Sequence, residues 1–466
     1  MGKEMQSKYD VIIVGGGPAG IFAALELSQS TNLSILLLEK GRDLHLRRCP
    51  IIGKNRSCPP CSPCDLVSGW GGAGAFSDGK LTLSPQVGGQ LEAYLGAEKA
   101  AGLIHYVDDI YLKFGASNEV YGTGPEVEQL KQRAKKAGLR LIPAPIRHMG
   151  TESCREVLRD MHKFLADRIE SQTDTAAISL IRQNGRIKGI QTDDGQRIES
   201  RYLIIAPGRE GADWLLKEAA RLGLTLHNNP IDVGVRVEMP ITVLQELTDS
   251  LYEIKLEFYS PTFGDRIRTF CMCPAGEVTM ETTGGLEPVI TVNGHSYAHR
   301  KTGNTNFAIL VSATFSPPFR EPIAYGKYLA RIANIISGGV IVQRWGDLSQ
   351  GRISTSNSIE EGAVKPTLKS ATPGDLGYVL PYRFLKGINE MLTAMDKLAP
   401  GVASPDTLLY GAEVKFYSSR LELTQNLETE IPNLFAIGDG AGVSRGLIQA
   451  AASGVVAARE IVKRAI

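Results

Sequence analysis

The sequence predicts an α/β protein of two domains, one built on a parallel sheet with a three-stranded β meander and one of α+β type. Three observations support this fold class. A strand, a glycine-rich turn and a helix follow each other in residues 9–27. A short apolar strand ending in glycines occurs again at residues 434–442. Between them, residues 226–399 change to strand-rich segments interrupted by many Gly and Pro.

The length and charge of the chain limit the number of domains and the kinds of partner that can be expected. It has 466 residues, 43% of them hydrophobic, with 51 Lys and Arg against 50 Asp and Glu and a formal net charge of +1. At roughly 150 residues per domain, two or three domains are expected. A balanced charge without a long basic run disfavours nucleic acid and anionic membranes as partners. Because no apolar run reaches the roughly 18 residues of a membrane span and no signal-peptide pattern is found, we expect a cytoplasmic protein with no membrane span.

The first strand and helix enclose a glycine motif. Residues 9–14 form a β-branched apolar run that ends in GGGPAG, and a helical pattern follows. Pro18 fits the first helical turn, where its missing N–H has no intrahelical partner. A second apolar run, residues 33–38, completes a β-α-β unit of about 30 residues, the length that a right-handed parallel crossover needs.

The glycines of this unit have the GxGxxG spacing of a dinucleotide-binding turn. Gly15 permits the tight turn, Gly17 lets a pyrophosphate approach the helix end, and Gly20 lets the helix pack on the strand. Glu39 follows about 20 residues later, where a carboxylate can accept hydrogen bonds from a ribose diol. An acid there disfavours a 2′-phosphate, so FAD or NAD is predicted rather than NADP. The predicted cofactor contacts of this unit are Gly15, Gly17, Pro18, Ala19, Gly20, Glu39 and Lys40.

The middle of the first domain is expected to be helical and then antiparallel. Residues 91–145 contain helix-like stretches and a polar connection, and are predicted as a helical insertion. Apolar residues within 153–169 share one helical face. Residues 174–206 alternate and turn at an Asn-Gly and an Asp-Gly dipeptide, which predicts the three-stranded β meander.

The C-terminal segment is expected to return to the first sheet. A parallel-type strand at 434–437 leads through Asp439 to a long helix of small residues, 447–462. This return would place Asp439 beside the middle of the dinucleotide and the helix start beneath its far end. The arrangement suits a flavin, because a carboxylate accepts from ribityl hydroxyls and a helix N-terminus stabilises negative charge on reduced flavin. We therefore predict an FAD-binding domain of residues 1–225 and 400–466, and a substrate or cap domain of residues 226–399.

Several motifs resemble known flavoproteins. GGGPAG at 15–20, APG at 206–208 in place of the usual ATG, and the segment 429–439 resemble the two-dinucleotide-binding-domain flavoproteins, the glutathione-reductase-like FAD fold. Nearly the whole chain resembles a family of largely uncharacterised FAD-dependent dehydrogenases. That closer resemblance is carried by GWGGAGAFSDGKL (69–81), RHMGTE (147–152), APGREG (206–211), FCMCPAGEV (270–278), VNGHS (292–296), YGAEVKFYS (410–418) and GDGAGVSRGLIQAAASG (438–454). It implies a Rossmann-like FAD-binding domain and a flavin-dependent redox activity, but no single substrate.

The same motifs imply further site residues. The cofactor contacts that they add are Gly71, Gly72, Ala73, Gly74, Ala206, Pro207, Gly208, Gly438, Asp439, Gly446 and Leu447. Lys80 and Arg445 lie in these glycine-rich motifs and are candidate catalytic residues that stabilise reduced flavin or hold an acidic substrate, with a surface or phosphate-pairing role as the alternative. His295 is a candidate general acid, although a lone histidine is more often structural.

The chain also departs from the glutathione-reductase pattern. Residues 210–400 contain no second GxGxxG, so no independent nicotinamide domain is expected. Electrons would come from a nicotinamide that binds transiently, from the substrate or from a redox protein. The leading functional prediction is an FAD-dependent oxidoreductase that exchanges a hydride between flavin and a small organic substrate. The alternative is a flavin and cysteine-cluster protein that transfers electrons to a redox partner.

Four of the seven cysteines, Cys49, Cys58, Cys61 and Cys64, are crowded into one short segment. Their thiolates could complete a four-cysteine zinc site or a [4Fe–4S] cluster. The spacing matches neither a ferredoxin run nor a paired CxxC zinc ribbon, so a redox disulfide and ordinary reduced thiols stay open. A separate pair, Cys271 and Cys273, lies two residues apart on a predicted strand, so the two side chains are expected to point the same way. They are core residues or catalytic thiols.

Overall fold

The computed structural model describes residues 6–49, 61–77, 79–227, 231–283, 288–296, 301–313, 321–415 and 420–465. The chain divides into two compact units. The first unit comprises Met1–Val120, Ile146–Asn229 and Ser418–Ile466. The second unit comprises Tyr121–Pro145 and Pro230–Tyr417.

Strands and helices both occur in each unit, and the longest runs of consecutive strands are β7–β10 and β13–β17. The strands are β1 (Lys8–Val14), β2 (Ile35–Leu38), β3 (Lys80–Thr82), β4 (Val120–Tyr121), β5 (Arg140–Leu141), β6 (Ile146–His148), β7 (Glu170–Gln172), β8 (Ala177–Gln183), β9 (Arg186–Thr192), β10 (Arg197–Ile205), β11 (Leu226–His227), β12 (Ile231–Pro240), β13 (Leu256–Tyr259), β14 (Arg266–Cys273), β15 (Glu277–Thr283), β16 (Val289–His295), β17 (Asn304–Ala313), β18 (Ile341–Arg344), β19 (Thr372–Pro373), β20 (Leu408–Lys415), β21 (Arg420–Leu421) and β22 (Leu434–Ala436). The helices are α1 (Pro18–Ser30), α2 (Leu91–Leu95), α3 (Ala97–Lys113), α4 (Pro125–Lys136), α5 (Thr151–Ala166), α6 (Ala212–Leu222), α7 (Ile241–Leu251), α8 (Pro322–Ser337), α9 (Trp345–Ser349), α10 (Ser356–Glu361), α11 (Tyr382–Leu398) and α12 (Leu447–Ala465). Short 3-10 helices cover Gly72–Phe76, Leu376–Tyr378 and Asp439–Ala441.

The first unit is built on a seven-stranded sheet in the order β7-β2-β1-β10-β9-β8, with β22 also paired to β10. The pairs β7-β2, β2-β1, β1-β10 and β10-β22 are parallel, whereas β10-β9 and β9-β8 are antiparallel. The predicted parallel sheet and three-stranded meander are therefore confirmed, and they share β10. At the first meander turn, Asn184 and Gly185 both have positive φ, as a tight hairpin of this kind requires.

The strands at the centre of this sheet are buried on both faces. Every residue of β2 is buried, and so are the last four residues of β1. Such uninterrupted apolar runs are typical of a parallel sheet covered by helices on both sides. Each fully buried aliphatic side chain contributes about 1.5–3 kcal/mol relative to an exposed one, so this region forms the main core of the unit.

The C-terminal segment returns to this sheet as predicted. β22 pairs in parallel with β10, with Leu434 opposite Leu203. The helix that follows, α12, packs on α1 at close range, because a Cβ on Gly454 would overlap the carbonyl oxygen of Ala19 and lie 2.9 Å from the backbone nitrogen of Ala23. Only glycine allows the two helix backbones to approach this closely.

The division into units differs from the predicted boundaries in two places. Residues 121–145, expected inside the FAD-binding domain, belong to the second unit because β5 pairs with β13. Residues 400–417 also belong to the second unit, where β20 lies between β12 and β18. The pairings that place these two segments in the second unit join residues far apart in the sequence, so local periodicity does not reveal them.

The second unit is built on an eight-stranded sheet in the order β19-β18-β20-β12-β17-β14-β13-β5, mostly antiparallel. One face of β12 presents Val233, Val235 and Val237 to an apolar core that includes residues of α7 and α11. Charged residues alternate with them, among them Arg236 and Glu238, which are also buried. None of the helices in the described ranges combines the length and apolar character that a membrane crossing requires.

Candidate cofactor site

The first glycine turn packs against the end of a neighbouring strand. Gly15 has φ +113, and a Cβ there would overlap the carbonyl oxygen of Ala206, the residue that follows β10. The backbone N–H of Ala206 donates to the carbonyl of Val14 at 2.7 Å. A Cβ on Gly20 would overlap the carbonyl oxygen of Gly15, which shows how closely α1 lies on this turn. Packing within the protein therefore requires glycine at both positions.

Gly17 differs from these two glycines. It caps α1 with φ −82, a conformation open to any residue. The nearest heavy atom to a Cβ at Gly17 is the Cα of Gly72, at 3.8 Å, which is ordinary van der Waals contact. The protein itself leaves room for a side chain at this helix N-terminus, so the space fits a group brought by a ligand. A diphosphate is such a group, because helix N-termini bind anions.

The second glycine segment lies between the starts of two helices. Gly71 has φ +86 and its N–H donates to the carbonyl of Gly16 at 2.8 Å. A Cβ on Gly74 would lie 2.8 Å from Leu447 Cδ2 and 3.5 Å from Pro18 Cγ, so this segment sits against the first residues of both α12 and α1. The predicted contacts Gly72, Ala73 and Gly74 all belong to the 3-10 helix at this place.

The APG segment, residues 206–208, packs against the glycine cluster of residues 438–442, which follows β22. Gly208 has φ +64, and a Cβ on Gly440 would overlap its carbonyl oxygen. Gly438 has φ +75, and its Cβ position is 3.1 Å from Ala19 Cβ. Pro207 accepts a hydrogen bond from the N–H of Gly211 at 3.2 Å through its carbonyl oxygen. The structure thus brings together the four glycine-containing segments in which the sequence predicted cofactor contacts.

Glu39 lies at the end of β2 and is buried. Its Oε2 accepts a hydrogen bond from the N–H of Gly16 at 2.7 Å, and its Oε1 accepts from the N–H groups of Gly41 and Gly69, both at 2.9 Å. The sequence did not reveal these three donors. A carboxylate has about four acceptor sites, so Glu39 keeps capacity for one further donor such as a ribose hydroxyl.

Lys40 forms an ion pair with Glu210, and both side chains are partly exposed. Glu210 also accepts a hydrogen bond from Ser68 Oγ at 3.3 Å. Burial lowers the pKa of the Lys40 ammonium, while the neighbouring carboxylate of Glu39 acts in the opposite direction. The APGREG motif therefore provides the partner of Lys40, a connection that the motif sequence alone did not disclose.

Asp439 begins the 3-10 helix after β22 and is partly buried. Its Oδ1 accepts a hydrogen bond from Ser444 Oγ at 2.6 Å. Burial raises the pKa of the Asp439 carboxyl above its usual value, and the charges of Arg209 and Arg445 and the Ser444 hydrogen bond oppose this rise. Arg209 and Ser444 both lie in motifs of the sequence resemblance, but only the tertiary structure shows that they lie close to Asp439.

The loop of residues 85–88, which contains no predicted site residue, is attached to the start of α12. Gln449 is fully buried, and its Nε2 donates to the carbonyls of Pro85 at 3.0 Å and Val87 at 2.9 Å. The N–H of Arg445 donates to the carbonyl of Gly88 at 2.8 Å. A Cβ on Gly446 would lie 3.8 Å from the Cα of Gly88. The residues around 446–447 are therefore held in place by this loop.

The two candidate catalytic residues are both partly buried. Lys80 begins β3, opposite His148 on β6, and β3 lies against α12. Arg445 directly precedes Gly446 and Leu447, the contacts predicted at the helix start. Both residues make interactions within the protein, so their catalytic role stays a prediction.

The cysteine segment is described only in part. Cys58 lies outside the described residues, whereas Cys49, Cys61 and Cys64 carry free thiols with partial or full exposure. The Cys64 carbonyl accepts hydrogen bonds from the N–H groups of Val67 and Ser68. Within the described ranges, no group of three His, Cys, Asp or Glu residues is arranged to hold a metal. The zinc, iron-sulfur and redox-thiol alternatives all stay predictions.

A bulge interrupts β14 at Cys271 and Cys273, which the sequence places on the same face of a strand. β14 contains a register shift between Phe270 and Cys273, and Cys271 has φ +45, an uncommon conformation for a residue with a side chain. The two residues approach Arg236 in different ways. Its Nη2 donates to the carbonyl of Cys271 at 2.6 Å and lies 3.5 Å from Cys273 Sγ.

Arg236 connects the three motifs that lie in the second unit. Its Nη1 pairs with Glu413 Oε1 at 3.3 Å and its Nε donates to Asn306 Oδ1 at 2.8 Å, all fully buried. A Cβ on Gly294 would overlap Arg236 Nη2. The motifs around Cys271, Gly294 and Glu413 therefore surround one buried guanidinium. His295 follows Gly294 and is exposed, opposite Glu277 in the β15-β16 hairpin.

Two family models match parts of the chain. One, described as the C-terminal domain-like part of FAD-dependent proteins, matches residues 230–416, close to the continuous part of the second unit. The other, pyridine nucleotide-disulphide oxidoreductase, matches residues 9–55, which include β1, α1 and β2. Together they support a relationship to FAD-dependent oxidoreductases without singling out the glutathione-reductase-like group.

The chain is also similar to individual proteins. It is 27% identical over 480 residues to an uncharacterized protein of Clostridium beijerinckii, covering 97% of this chain and 80% of that one. Among solved structures, glycine oxidase from Geobacillus kaustophilus has 13% identity and a TM-score of 0.39, covering 98% of this chain and 95% of that one. L-amino acid deaminase from Proteus vulgaris has 15% identity and a TM-score of 0.38, covering 97% and 93%. These structural likenesses are too distant to support a function.

Proposed function

We propose that the protein is an FAD-dependent oxidoreductase that exchanges a hydride between the flavin and a small organic substrate. The observation that carries this proposal is the gathering of four glycine-containing segments at the ends of β1, β10 and β22, with Glu39 at the end of β2. Ligands of parallel α/β sheets bind beyond the carboxyl ends of the strands, where this gathering occurs. The two family matches support the same cofactor.

Each part of the site has a role in this proposal. Glu39 accepts a hydrogen bond from the ribose, the start of α1 at Gly17 receives the diphosphate, and Asp439 accepts from the ribityl chain. The start of α12 at Leu447 stabilises negative charge at the far end of the cofactor. Lys80 and Arg445 add positive charge, which would orient an acidic substrate. The bound flavin supplies the capacity to accept and return a hydride.

The second unit has a separate role in the proposal. Its core and sheet make it a folded body of its own, and its main segment corresponds to the match with the FAD-dependent C-terminal domain model. We propose that it supplies the substrate contacts, with residues 121–145 and 230–417 in place of the predicted 226–399. A nicotinamide, if it is the electron donor, would bind without a domain of its own.

The first prediction tests the cofactor and the reaction together. We expect FAD to copurify with the protein and to be released into the supernatant on denaturation. The reason is that Gly17, Glu39 and Asp439 are proposed to contact three separate parts of one dinucleotide. If a nicotinamide is the electron donor, anaerobic mixing with NADH or NADPH should bleach the flavin spectrum. Nicotinamide carrying deuterium at the transferred position should react more slowly if a hydride moves.

The outcome distinguishes the two functions considered. Recovery of NAD or FMN alone would contradict the cofactor assignment. Reduction by one-electron donors only, with no isotope effect for any hydride donor and with iron in the protein, would favour the electron-transfer alternative. Boiled protein that has been stripped of flavin serves as the control for direct reaction between the reagents.

The second prediction concerns the cysteine segment. If Cys49, Cys58, Cys61 and Cys64 bind a metal, chelation should release about one zinc ion or one cluster per chain without releasing FAD. If they form a redox pair, a thiol titration should find two thiols that oxidise reversibly together with the flavin. Metal analysis and thiol counting on one preparation separate these cases. Four freely alkylated thiols in active, metal-free protein would contradict both.

A further inference from the structure

Arg47 is a buried guanidinium with one unpartnered nitrogen. Its side chain is 1% exposed. Nε donates to the carbonyl of Asp65 at 2.9 Å and Nη1 to the carbonyl of Trp70 at 2.6 Å, but Nη2 has no hydrogen-bond partner. Burial lowers the pKa of Arg47 to about 10, which reflects the cost of placing this charge away from water. A buried polar group without a partner is unusual and needs an explanation.

A second guanidinium lies on the same aromatic ring. The Cζ atoms of Arg47 and Arg155 lie 4.9 and 5.1 Å from the centre of the Phe76 ring. In the described part of the chain, neither arginine has a carboxylate within ion-pair distance. Two cations that share one ring and lack acidic partners repel each other unless an anion lies between or beside them.

The nearest acids are already engaged. Glu39 and Asp65 both act on Arg47 electrostatically, but neither carboxylate accepts a hydrogen bond from it; Asp65 accepts only through its backbone carbonyl. Glu39 accepts three backbone N–H groups, as described above. Asp65 Oδ2 accepts from the N–H of Arg48 at 3.1 Å and lies 3.6 Å from Arg42 Nη1. The missing acceptor for Arg47 is therefore a group that does not come from these side chains.

We propose that Arg47 and Arg155 form a binding site for a phosphate-type oxyanion beside Phe76. Arginine binds phosphate oxygens through its planar fork of N–H groups. Two cations without acidic partners favour an anion of more than one charge, which is a phosphate rather than a carboxylate. The carbonyl of Trp70 that holds Arg47 lies next to Gly71, whose N–H donates to the glycine turn at Gly16. The site therefore adjoins the proposed diphosphate position.

Two sources share this chemistry, and only the first rests on the proposed function. The oxyanion is the diphosphate of the bound dinucleotide, or it is a free phosphate or phosphate ester. In the first case Arg47 and Arg155 add positive charge at the diphosphate position, and bound FAD occupies the site. In the second case the site stays open when FAD is bound.

The third prediction uses inorganic pyrophosphate as the probe. The full-length protein is titrated calorimetrically, both as purified and after removal of its flavin. Arg155→Gln should weaken pyrophosphate binding at least about tenfold, because it removes a charge-assisted hydrogen bond. Arg159→Gln is the matched control, since Arg159 lies one turn further along α5, is exposed and pairs with Asp160. It should bind as the wild type does.

Every result decides the proposal. Pyrophosphate binding that appears only after flavin removal and is weakened by Arg155→Gln supports the dinucleotide as the source. Binding that persists in the flavin-containing protein and is weakened in the same way supports a free phosphate. The proposal is overturned if pyrophosphate binds neither form, or if Arg155→Gln and Arg159→Gln bind it equally. Absence of FAD from the purified protein would contradict the proposed function alone, because the pyrophosphate titration needs no flavin.

Discussion

Replacing Gly17 with valine is expected to lower the FAD content of the purified protein roughly tenfold to a hundredfold while leaving the fold intact. The backbone at Gly17 has an ordinary φ of −82, and a Cβ there meets no protein atom closer than 3.8 Å. The added side chain would therefore occupy space that the protein leaves for the diphosphate. The measurement is the ratio of released FAD to protein, with circular dichroism to follow the fold.

Two other glycines show whether the effect is specific. Gly102 lies on an exposed part of α3, with no heavy atom within 4 Å of its Cβ position, so Gly102→Val should keep both fold and flavin. Gly15→Val should instead disrupt the fold, because a Cβ there overlaps the carbonyl oxygen of Ala206. A Gly17→Val protein with one FAD per chain would show that the diphosphate lies elsewhere.

Replacing Arg236 with methionine is expected to destabilise the second unit by about 3–5 kcal/mol. The guanidinium has buried partners on three neighbouring strands, and its loss leaves the Glu413 carboxylate in a fully buried position with Lys415 as its remaining charged partner. One Glu413 oxygen already has no hydrogen-bond partner. Urea unfolding followed by circular dichroism measures the change.

A double substitution separates lost packing from unpaired charge. In the Arg236→Met protein, replacing Glu413 with methionine as well removes the unpaired carboxylate, so stability should recover by a large part of the loss. Arg352→Met, at an exposed arginine, should change stability by less than about 0.5 kcal/mol. If Arg236→Met is as stable as the wild type, the buried ion pair does not hold β12 to the strands that carry the partners of Arg236.

Elements with a local pattern could be predicted closely from the sequence. The strand, turn and helix at the start of the chain follow from a short apolar run, a glycine turn and a proline at the first helical position. Observed α1 begins at Pro18, and observed α12 begins at Leu447, both as predicted. The meander also followed from its two glycine dipeptides. These signals depend on residues that are close in sequence, so one chain was enough to detect them.

The irregular parts of the chain could not be predicted in the same way. The bulge at Cys271 interrupts the regular pairing of β14, and the buried Arg236 donates a hydrogen bond to the Cys271 carbonyl. The placement of 121–145 depends on a two-residue strand, β5, pairing with β13. Such features arise from contacts between distant segments, whose energies are not visible in local periodicity.

The sequence by itself determined the α/β class, the β-α-β unit with its glycine spacing, and the acid at Glu39, because backbone conformation and periodic burial are encoded locally. Only the tertiary structure decided that Gly15 and Gly20 serve packing whereas Gly17 has room for a Cβ. It alone showed the three backbone donors on Glu39 and the unpartnered nitrogen of Arg47. The physical reason is that steric room and hydrogen-bond satisfaction are set by neighbours far away in the chain.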